Sequence, residues 1–252
     1  MLDRLFGLDG EVAVITGAGR GIGEGIAKVF AQAGAHVVLA ARRTHEIERV
    51  AEEINSANGS ALAVTCDVTD SSAVTVLAET AVKHFGKLNI WVNNAGGSPL
   101  QMPLMDLPEE EWDATLALNL SAVFHCTRTA AKHMEDGGRV LNISSIAARS
   151  AIAGSGHYSA AKVGVNMLTQ AFANELGPRV RVNCIMPGAV PTEIMMKAMK
   201  LTDEDLPKLE KMLRLPAGRL GTPEDLGASA LFLCSQASAW VTGQSIAIDG
   251  GA

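Results

Sequence analysis

Along the chain, short runs of β-branched and apolar residues alternate with longer stretches in which apolar residues recur at every third or fourth position. Val12 to Thr16, Val37 to Ala40, Ala61 to Cys66, Leu88 to Val92, Arg139 to Ile143, Arg181 to Ile185 and Ser245 to Ile248 read as strands buried on both faces. Helical period marks Ile22 to Gln32, His45 to Ala57, Ala73 to Phe85, Trp112 to His133 and Leu226 to Cys234, and Ser155 to Leu176 predicts a further long helix. Such alternation predicts an α/β fold, a parallel sheet with right-handed crossovers and helices on both faces. Gly34 and Gly86 stand where left-handed helix caps are wanted, and Thr222-Pro223-Glu224-Asp225 signals a helix start. One stretch breaks the rhythm. Between Pro187 and Gly221 lies a connection rich in Met and Leu, long for a link between two strand-helix units, which predicts a movable lid at about residues 189–220.

The 252 residues suit one α/β domain, 1–252, with no linker or change of composition to divide it. A net charge of -6 and dispersed basic residues argue against nucleic acid as a partner. No stretch of about 18 apolar residues appears and the first residues lack a basic start, so a soluble, cytoplasmic protein without membrane contact is expected. Cys66, Cys126, Cys184 and Cys234 lie far apart, with Cys66 and Cys184 at apolar strand positions, and read as buried free thiols. Neither a metal-binding histidine doublet nor a Gly-x-Ser-x-Gly elbow occurs, so no metal site is expected.

Chemistry concentrates around the sole tyrosine, Tyr158, with Lys162 one helical turn on and Ser145 thirteen positions before it. Residues four apart share a helix face, so the lysine ammonium can lie beside the phenol. A cation about 4 Å away is expected to lower the phenol's pKa from its ordinary value near ~10 and make it a usable general acid/base. At the other end of the chain, Thr16-Gly17-Ala18-Gly19-Arg20-Gly21-Ile22-Gly23 follows the first strand and opens the first helix. Glycines there let backbone amides approach a pyrophosphate at the helix amino terminus. The spacing is Gly17-x-x-x-Gly21-x-Gly23 rather than Gly-x-Gly-x-x-Gly.

With Asp67 after the third strand, Asn93-Asn94-Ala95-Gly96 after the fourth, then Asn119, Ser145, Tyr158, Lys162, Pro187-Gly188 and Thr192, the chain resembles the short-chain dehydrogenase/reductase family over essentially its whole length. The resemblance implies a doubly wound, seven-stranded Rossmann-type sheet, a nicotinamide dinucleotide and a homotetramer. It places Gly17, Arg20, Gly21, Ile22 and Gly23 at the phosphates, Asp67 and Val68 at the adenine, Asn94, Ala95 and Gly96 at the adenosine ribose side, and Pro187, Gly188, Val190 and Thr192 at the nicotinamide. It also gives Tyr158 as the proton donor and acceptor, Ser145 as the group holding the carbonyl oxygen, Lys162 as the residue that tunes the phenol and bonds the ribose, and Asn119 as the holder of a proton-carrying water. Ser144 is the rival to Ser145, and the family's spacing selects Ser145. His157 reads as structural, since it faces away from its neighbour Tyr158.

An acid ending the second strand would bond the ribose 2′-hydroxyl of NAD, but this chain has Ala41 followed by Arg42-Arg43. Guanidinium groups bind phosphate bidentately, so NADP(H) is favoured over NAD. Gly97, Ser98, Ile146, Ala147, Ile152, Ile194, Met195, Met196 and Met199 are expected to face the substrate, and their apolar character suits a hydrophobic ketone or secondary alcohol. Some segments look like bacterial hydroxysteroid dehydrogenases, and the layout is equally similar to 3-oxoacyl-carrier-protein reductases. Neither likeness fixes the substrate. A non-catalytic dinucleotide-binding redox sensor or scaffold is the alternative, although it would not need the full set Asn119, Ser145, Tyr158 and Lys162. Apolar residues make up 48% of the chain, and the helix around Tyr158 is apolar over more of its circumference than one core-facing stripe requires, which fits a homotetramer.

Overall fold

The computed structural model describes residues 1–98, 100–150 and 152–252. Seven parallel strands form one sheet in the order β3-β2-β1-β4-β5-β6-β7. They are β1 (Val12–Thr16), β2 (His36–Ala41), β3 (Ser60–Thr65), β4 (Ile90–Asn93), β5 (Gly138–Ile143), β6 (Val180–Pro187) and β7 (Ser245–Ile248). The helices are α1 (Leu2–Phe6), α2 (Gly21–Gln32), α3 (Thr44–Ser56), α4 (Ser71–Phe85), α5 (Glu109–Leu116), α6 (Ala122–His133), α7 (Gly156–Leu176), α8 (Glu193–Met199), α9 (Leu206–Leu213) and α10 (Pro223–Cys234). This is the parallel sheet that the alternation predicts, in the Rossmann-like order that the family resemblance implies.

Strand periodicity divides the core. Ala13 and Ile15 face a cluster with Ile26 and Phe30 of α2, Val50 of α3 and Leu226 and Leu233 of α10. Val14 between them faces the opposite cluster, with Leu77 of α4, Cys126 of α6 and Phe172 of α7. The central strands β1, β4 and β5 are buried throughout, as both-faced coverage demands, while β7 at the edge is only half-buried. Fully burying an apolar side chain of Leu or Phe size stabilises by about 1.5–3 kcal/mol, so the two clusters dominate the fold's energetics.

Helix ends follow local chemistry. The Asp70 carboxylate accepts from the Ser72 and Ala73 amides at 2.8 and 3.3 Å to start α4, and Gly86 ends it at φ +83°. Thr222 and Asp225 form a reciprocal capping box at α10, and Arg219 grips the same carboxylate at 2.6 and 2.7 Å, holding Asp225 well below the usual carboxylate range.

Three features depart from the sequence reading. Cys66 lies beyond β3, which ends at Thr65, although it is buried as expected. The amphipathic stretch Trp112 to His133 is interrupted, because residues Ala117–Ser121 widen into a π-helical turn between α5 and α6. The segment 189–220 is no bare loop. Its helices α8 and α9 close over a small core of their own, with Leu209, Leu215 and Leu220 buried and Met195 and Leu206 packed against them. Among the described residues, no helix is long and apolar enough to cross a membrane.

A buried polar network fastens the middle of the sheet to α6 and α7. Asn93 and Asn142 are register partners on β4 and β5, with Asn93 Nδ2 donating to Asn142 Oδ1 at 2.8 Å and to Thr127 Oγ1 at 2.9 Å. Asn142 Nδ2 donates to Thr169 Oγ1 at 2.9 Å, and the Trp91 indole donates to Asn93 Oδ1 at 2.8 Å. Each member is satisfied, so removing one strands its partners without water. Asn142→Leu is expected to destabilise the fold by about 1–3 kcal/mol, read as a lower urea midpoint. A midpoint equal to that of the wild type would show that the network contributes nothing.

Candidate functional site

The chain winds away in opposite directions from β1 and β4, which leaves a crevice beyond their carboxyl ends, the place where doubly wound sheets bind ligands. Thr16 and Asn94 stitch its floor. Thr16 Oγ1 donates to the Val92 carbonyl at 3.1 Å and accepts from the amides of Asn94 and Ala95 at 3.0 Å each. The Asn94 side chain donates to the carbonyls of Thr16 and Gly17 at 2.8 and 3.1 Å. Gly17 and Gly21 adopt φ of +65° and +56°, which only glycine takes without strain. A Cβ on Gly23 would run into the Gly17 carbonyl and the Asn94 side chain, so that glycine serves close packing of helix on turn. Arg20 precedes α2 without capping it, and the first amides of the helix are left to an anion beside the open glycine turn. A cradle of this shape and polarity fits a dinucleotide pyrophosphate. Ile22 packs against the core behind it.

Beyond this cradle, β2 ends at Ala41, where no acidic side chain stands. Three arginines gather here, each facing a carboxylate. Arg43 pairs with Glu46 at 2.9 Å, Arg42 stands 3.9 Å from Asp67, and Arg20 pairs with Glu193 at the start of α8. Arg42 is the least engaged, its side chain 72% exposed. Asp67 accepts from Thr69 through the amide at 3.0 Å and the hydroxyl at 2.8 Å, while Val68 is buried in the core, so only its backbone can border a ligand.

The chemical end is built where β5 meets α7. Ser144 and Ser145 follow the strand, and they divide their labour. The buried Ser144 hydroxyl donates to the Lys162 carbonyl at 3.0 Å and ties strand to helix. Ser145 accepts from the Ala147 amide at 3.1 Å, and its side chain lies near enough to the Tyr158 phenol to oppose the upward shift that burial gives it. Lys162 is 3% exposed, donates through Nζ to the Ile143 carbonyl at 2.9 Å, and lies 5.5 Å from the centre of the Tyr158 ring. Sequence and structure agree on who meets whom, but not on the phenol. Burial pushes the half-buried Tyr158 up to about 12, with the Ser145 hydrogen bond opposing, and burial pushes Lys162 down to about 8. The expected lowering of the phenol is absent because burial outweighs it, while the ammonium is committed to the Ile143 carbonyl.

Asn119 sits in the π-helical turn, fully buried. Its side chain accepts from the Gly97 amide at 2.7 Å and donates to the carbonyls of Gly97 and Thr115 at 3.1 and 3.0 Å. A widened turn of this kind often marks a functional position, and here it turns the amide towards the loop after β4. A Cβ on Gly96 would lie 2.8 Å from the Asn119 oxygen and 3.3 Å from Lys162 Nζ, so Asn119, Gly96 and Lys162 crowd one spot.

Opposite, Pro187 ends β6, and the Gly188 amide donates to the Ile248 carbonyl at 3.0 Å. Val190 is buried in the core behind. Thr192 caps α8 and overhangs the glycine turn, its Cγ2 3.1 Å from where a Gly21 Cβ would stand. Ile194 overhangs Gly97, whose added Cβ would come within 3.0 Å of it. Of the methionines expected to face substrate, Met195 turns into the small core within segment 189–220 and Met199 is exposed. Glu193 escaped the sequence reading, since an acid in a helix's first turn is ordinary.

The family model described as Enoyl-(Acyl carrier protein) reductase matches residues 17–252. The chain is 39% identical to 7alpha-hydroxysteroid dehydrogenase of Escherichia coli K12, covering 97% of this chain and 94% of that one. It is 34% identical to a 3-oxoacyl-[acyl-carrier-protein] reductase of Thermotoga maritima, covering 97% and 98%. A solved 7 alpha-hydroxysteroid dehydrogenase complexed with NADH and 7-oxo glycochenodeoxycholic acid superposes with a TM-score of 0.91 at 38% identity, over 100% of this chain and 97% of that one. With glycine turn, Asn119, Ser145, Tyr158 and Lys162 assembled on a seven-stranded doubly wound sheet, the chain belongs to the short-chain dehydrogenase/reductase family.

Proposed function

We propose that this protein is a cytoplasmic, NADP(H)-dependent reductase that moves a hydride between the nicotinamide and the carbonyl carbon of a hydrophobic ketone, of the oxosteroid or 3-oxoacyl kind. Its class is that of the family, an oxidoreductase acting on alcohols and ketones. The observation that carries the proposal is the convergence of the Ser145 hydroxyl and the Tyr158 phenol beside the buried Lys162, across the crevice from the glycine turn. A bound nicotinamide supplies or takes up the hydride. Tyr158, neutral over the physiological range because burial raises its pKa, holds a proton ready for the developing alkoxide. Ser145 donates to the same oxygen and steadies the charge that grows there. Lys162 and Asn119 fix the floor beneath, and segment 189–220 acts as the lid that keeps water out.

NADP(H) is supported by the missing acid at Ala41 and by the exposed, weakly engaged Arg42, whose guanidinium is free to exchange Asp67 at 3.9 Å for a 2′-phosphate. Assembly as a homotetramer is supported by α7 and its surroundings. Val165 and Phe172 face inward, but Val163 and Met167 on the same helix are 51% and 63% exposed, and Trp240, ahead of β7, is 100% exposed.

Three measurements test these readings. NADPH consumption with a panel of oxosteroids, oxoacyl thioesters, cyclic ketones and sugars is expected to reveal turnover, and Tyr158→Phe is expected to lower it by roughly 10²-fold or more with cofactor affinity retained. A mutant turning over like the wild type would remove Tyr158 from the chemistry. Ala41→Asp combined with Arg42→Ile is expected to shift preference towards NADH, because the carboxylate repels the 2′-phosphate and a charged contact of about 1.5–3 kcal/mol is lost. A wild type that uses both cofactors equally would show that Arg42 does not read the phosphate. Light scattering is expected to give four times the 26.3 kDa of one chain, and the mass of a single chain would refute the assembly.

A further inference from the structure

His157 directly precedes Tyr158 at the start of α7 and is fully buried. Neighbouring helix positions diverge by about 100°, so its ring leaves the phenol behind and enters the loop that follows β4. There its Nε2 lies 3.0 Å from the Ser98 hydroxyl, while Nδ1 has no hydrogen-bond partner among the described residues. A buried ring nitrogen tolerates the lack of a partner better as a bare acceptor than as an orphaned N–H. The proton therefore belongs on Nε2, which donates to Ser98 Oγ, and the Ser98 hydroxyl is left to donate onwards to the Leu100 carbonyl in a long contact of 3.4 Å. Burial lowers the pKa of His157, with Glu111 opposing, which keeps the ring neutral and this direction intact.

One residue earlier, Asn119 holds both backbone groups of Gly97, at 2.7 and 3.1 Å. Gly97 adopts φ +125° directly beneath Ile194 of the lid helix. Two consecutive residues are thus gripped by two different segments of the chain, the π-helical turn and α7, and the lid rests on the result. At the far end of the loop, the Met102 amide donates to the Gly154 carbonyl at 2.8 Å. Between these anchors, among the described residues, the His157 to Ser98 hydrogen bond alone ties a side chain of the loop to the catalytic helix.

We propose that His157 is a positioning residue: through Ser98 it holds the loop 97–102 against α7, so that the wall of the substrate pocket beneath Ile194 stands at a fixed distance from Tyr158. The proposal rests on the reductase reading given above. It assigns His157 no proton transfer, and its effect falls on how the ketone is held rather than on how it is reduced.

The test uses the full-length protein with His157→Leu, His157→Gln and Ser98→Ala. Glutamine offers an N–H donor at a reach close to that of Nε2, and Ser98→Ala breaks the same bond while leaving the buried ring in place. Amide hydrogen exchange of residues 97–105 is expected to speed up about five- to tenfold in His157→Leu and Ser98→Ala and to return towards the wild-type rate in His157→Gln, in line with the loss of one buried hydrogen bond. Ketone KM is expected to rise by a similar factor, about five- to tenfold, with kcat and NADPH affinity nearly unchanged. Unchanged exchange in that loop overturns the proposal, and so does a fall in kcat at constant KM, which would put His157 in the chemistry. A loss of stability that glutamine does not rescue also overturns it, by reducing His157 to a core residue. Because exchange is read without substrate, a wild type that reduces no ketone would defeat the reductase reading while leaving the loop anchor to be judged separately.

Discussion

An ammonium group buried at the end of a parallel strand is the constraint around which this site is organised. Lys162 is almost wholly shielded from water, and its charge is expensive there unless a partner is fixed in place. The Ile143 carbonyl is that partner at 2.9 Å, exposed for bonding because β5 ends at that residue. Ser144 grips the lysine's own carbonyl from the next position, so strand end and helix are locked twice over. Once α7 is pinned in this way, Tyr158 one turn earlier has little choice of position, and Ser145 comes to lie beside its phenol. Moving the strand end by a residue would unpair the ammonium and the phenol together.

The same economy recurs at the glycine turn. Asn94 looks from its place in the chain like a ligand-binding residue, yet its side-chain amide is spent on the carbonyls of Thr16 and Gly17. What the crevice offers a dinucleotide is therefore shape and backbone: glycines at positive φ, the amino end of α2, and arginines around the rim whose carboxylate partners an incoming phosphate would have to replace. Pairing of that kind holds cations in place without leaving them free to collect stray anions.

Strands and most helices were legible because burial on both faces leaves unbroken apolar runs, and because glycine, proline and capping residues punctuate them. The glycine turn and the residues Asn119, Ser145, Tyr158 and Lys162 could be read from order and spacing. What could not be read depends on geometry that no local pattern encodes. Nothing in Ala117–Ser121 announces a π-helical turn, since the sequence keeps its amphipathic character through the distortion. The methionines after Thr192 suggest a pocket, but segment 189–220 buries Met195 in a core of its own, a choice made by Leu209, Leu215 and Leu220 further along. The link from His157 to Ser98 joins positions 59 apart and depends on where a loop comes to rest. The direction of the phenol's pKa was misread for the same reason: spacing places Lys162 beside Tyr158, but only coordinates reveal that its charge is turned towards a carbonyl.

The chain's single tyrosine allows that last point to be measured without any substitution. Tyrosinate absorbs at longer wavelength than neutral tyrosine, and tryptophan absorption there does not change with pH, so the absorbance change in a pH titration of the folded wild-type protein reports Tyr158 alone. If burial governs the phenol while Lys162 is held by Ile143, ionisation begins only above the ordinary range near ~10 and runs towards about 12 as long as the fold persists. A midpoint at or below the ordinary value would mean that the ammonium reaches the phenol oxygen after all, and would contradict this account of the site.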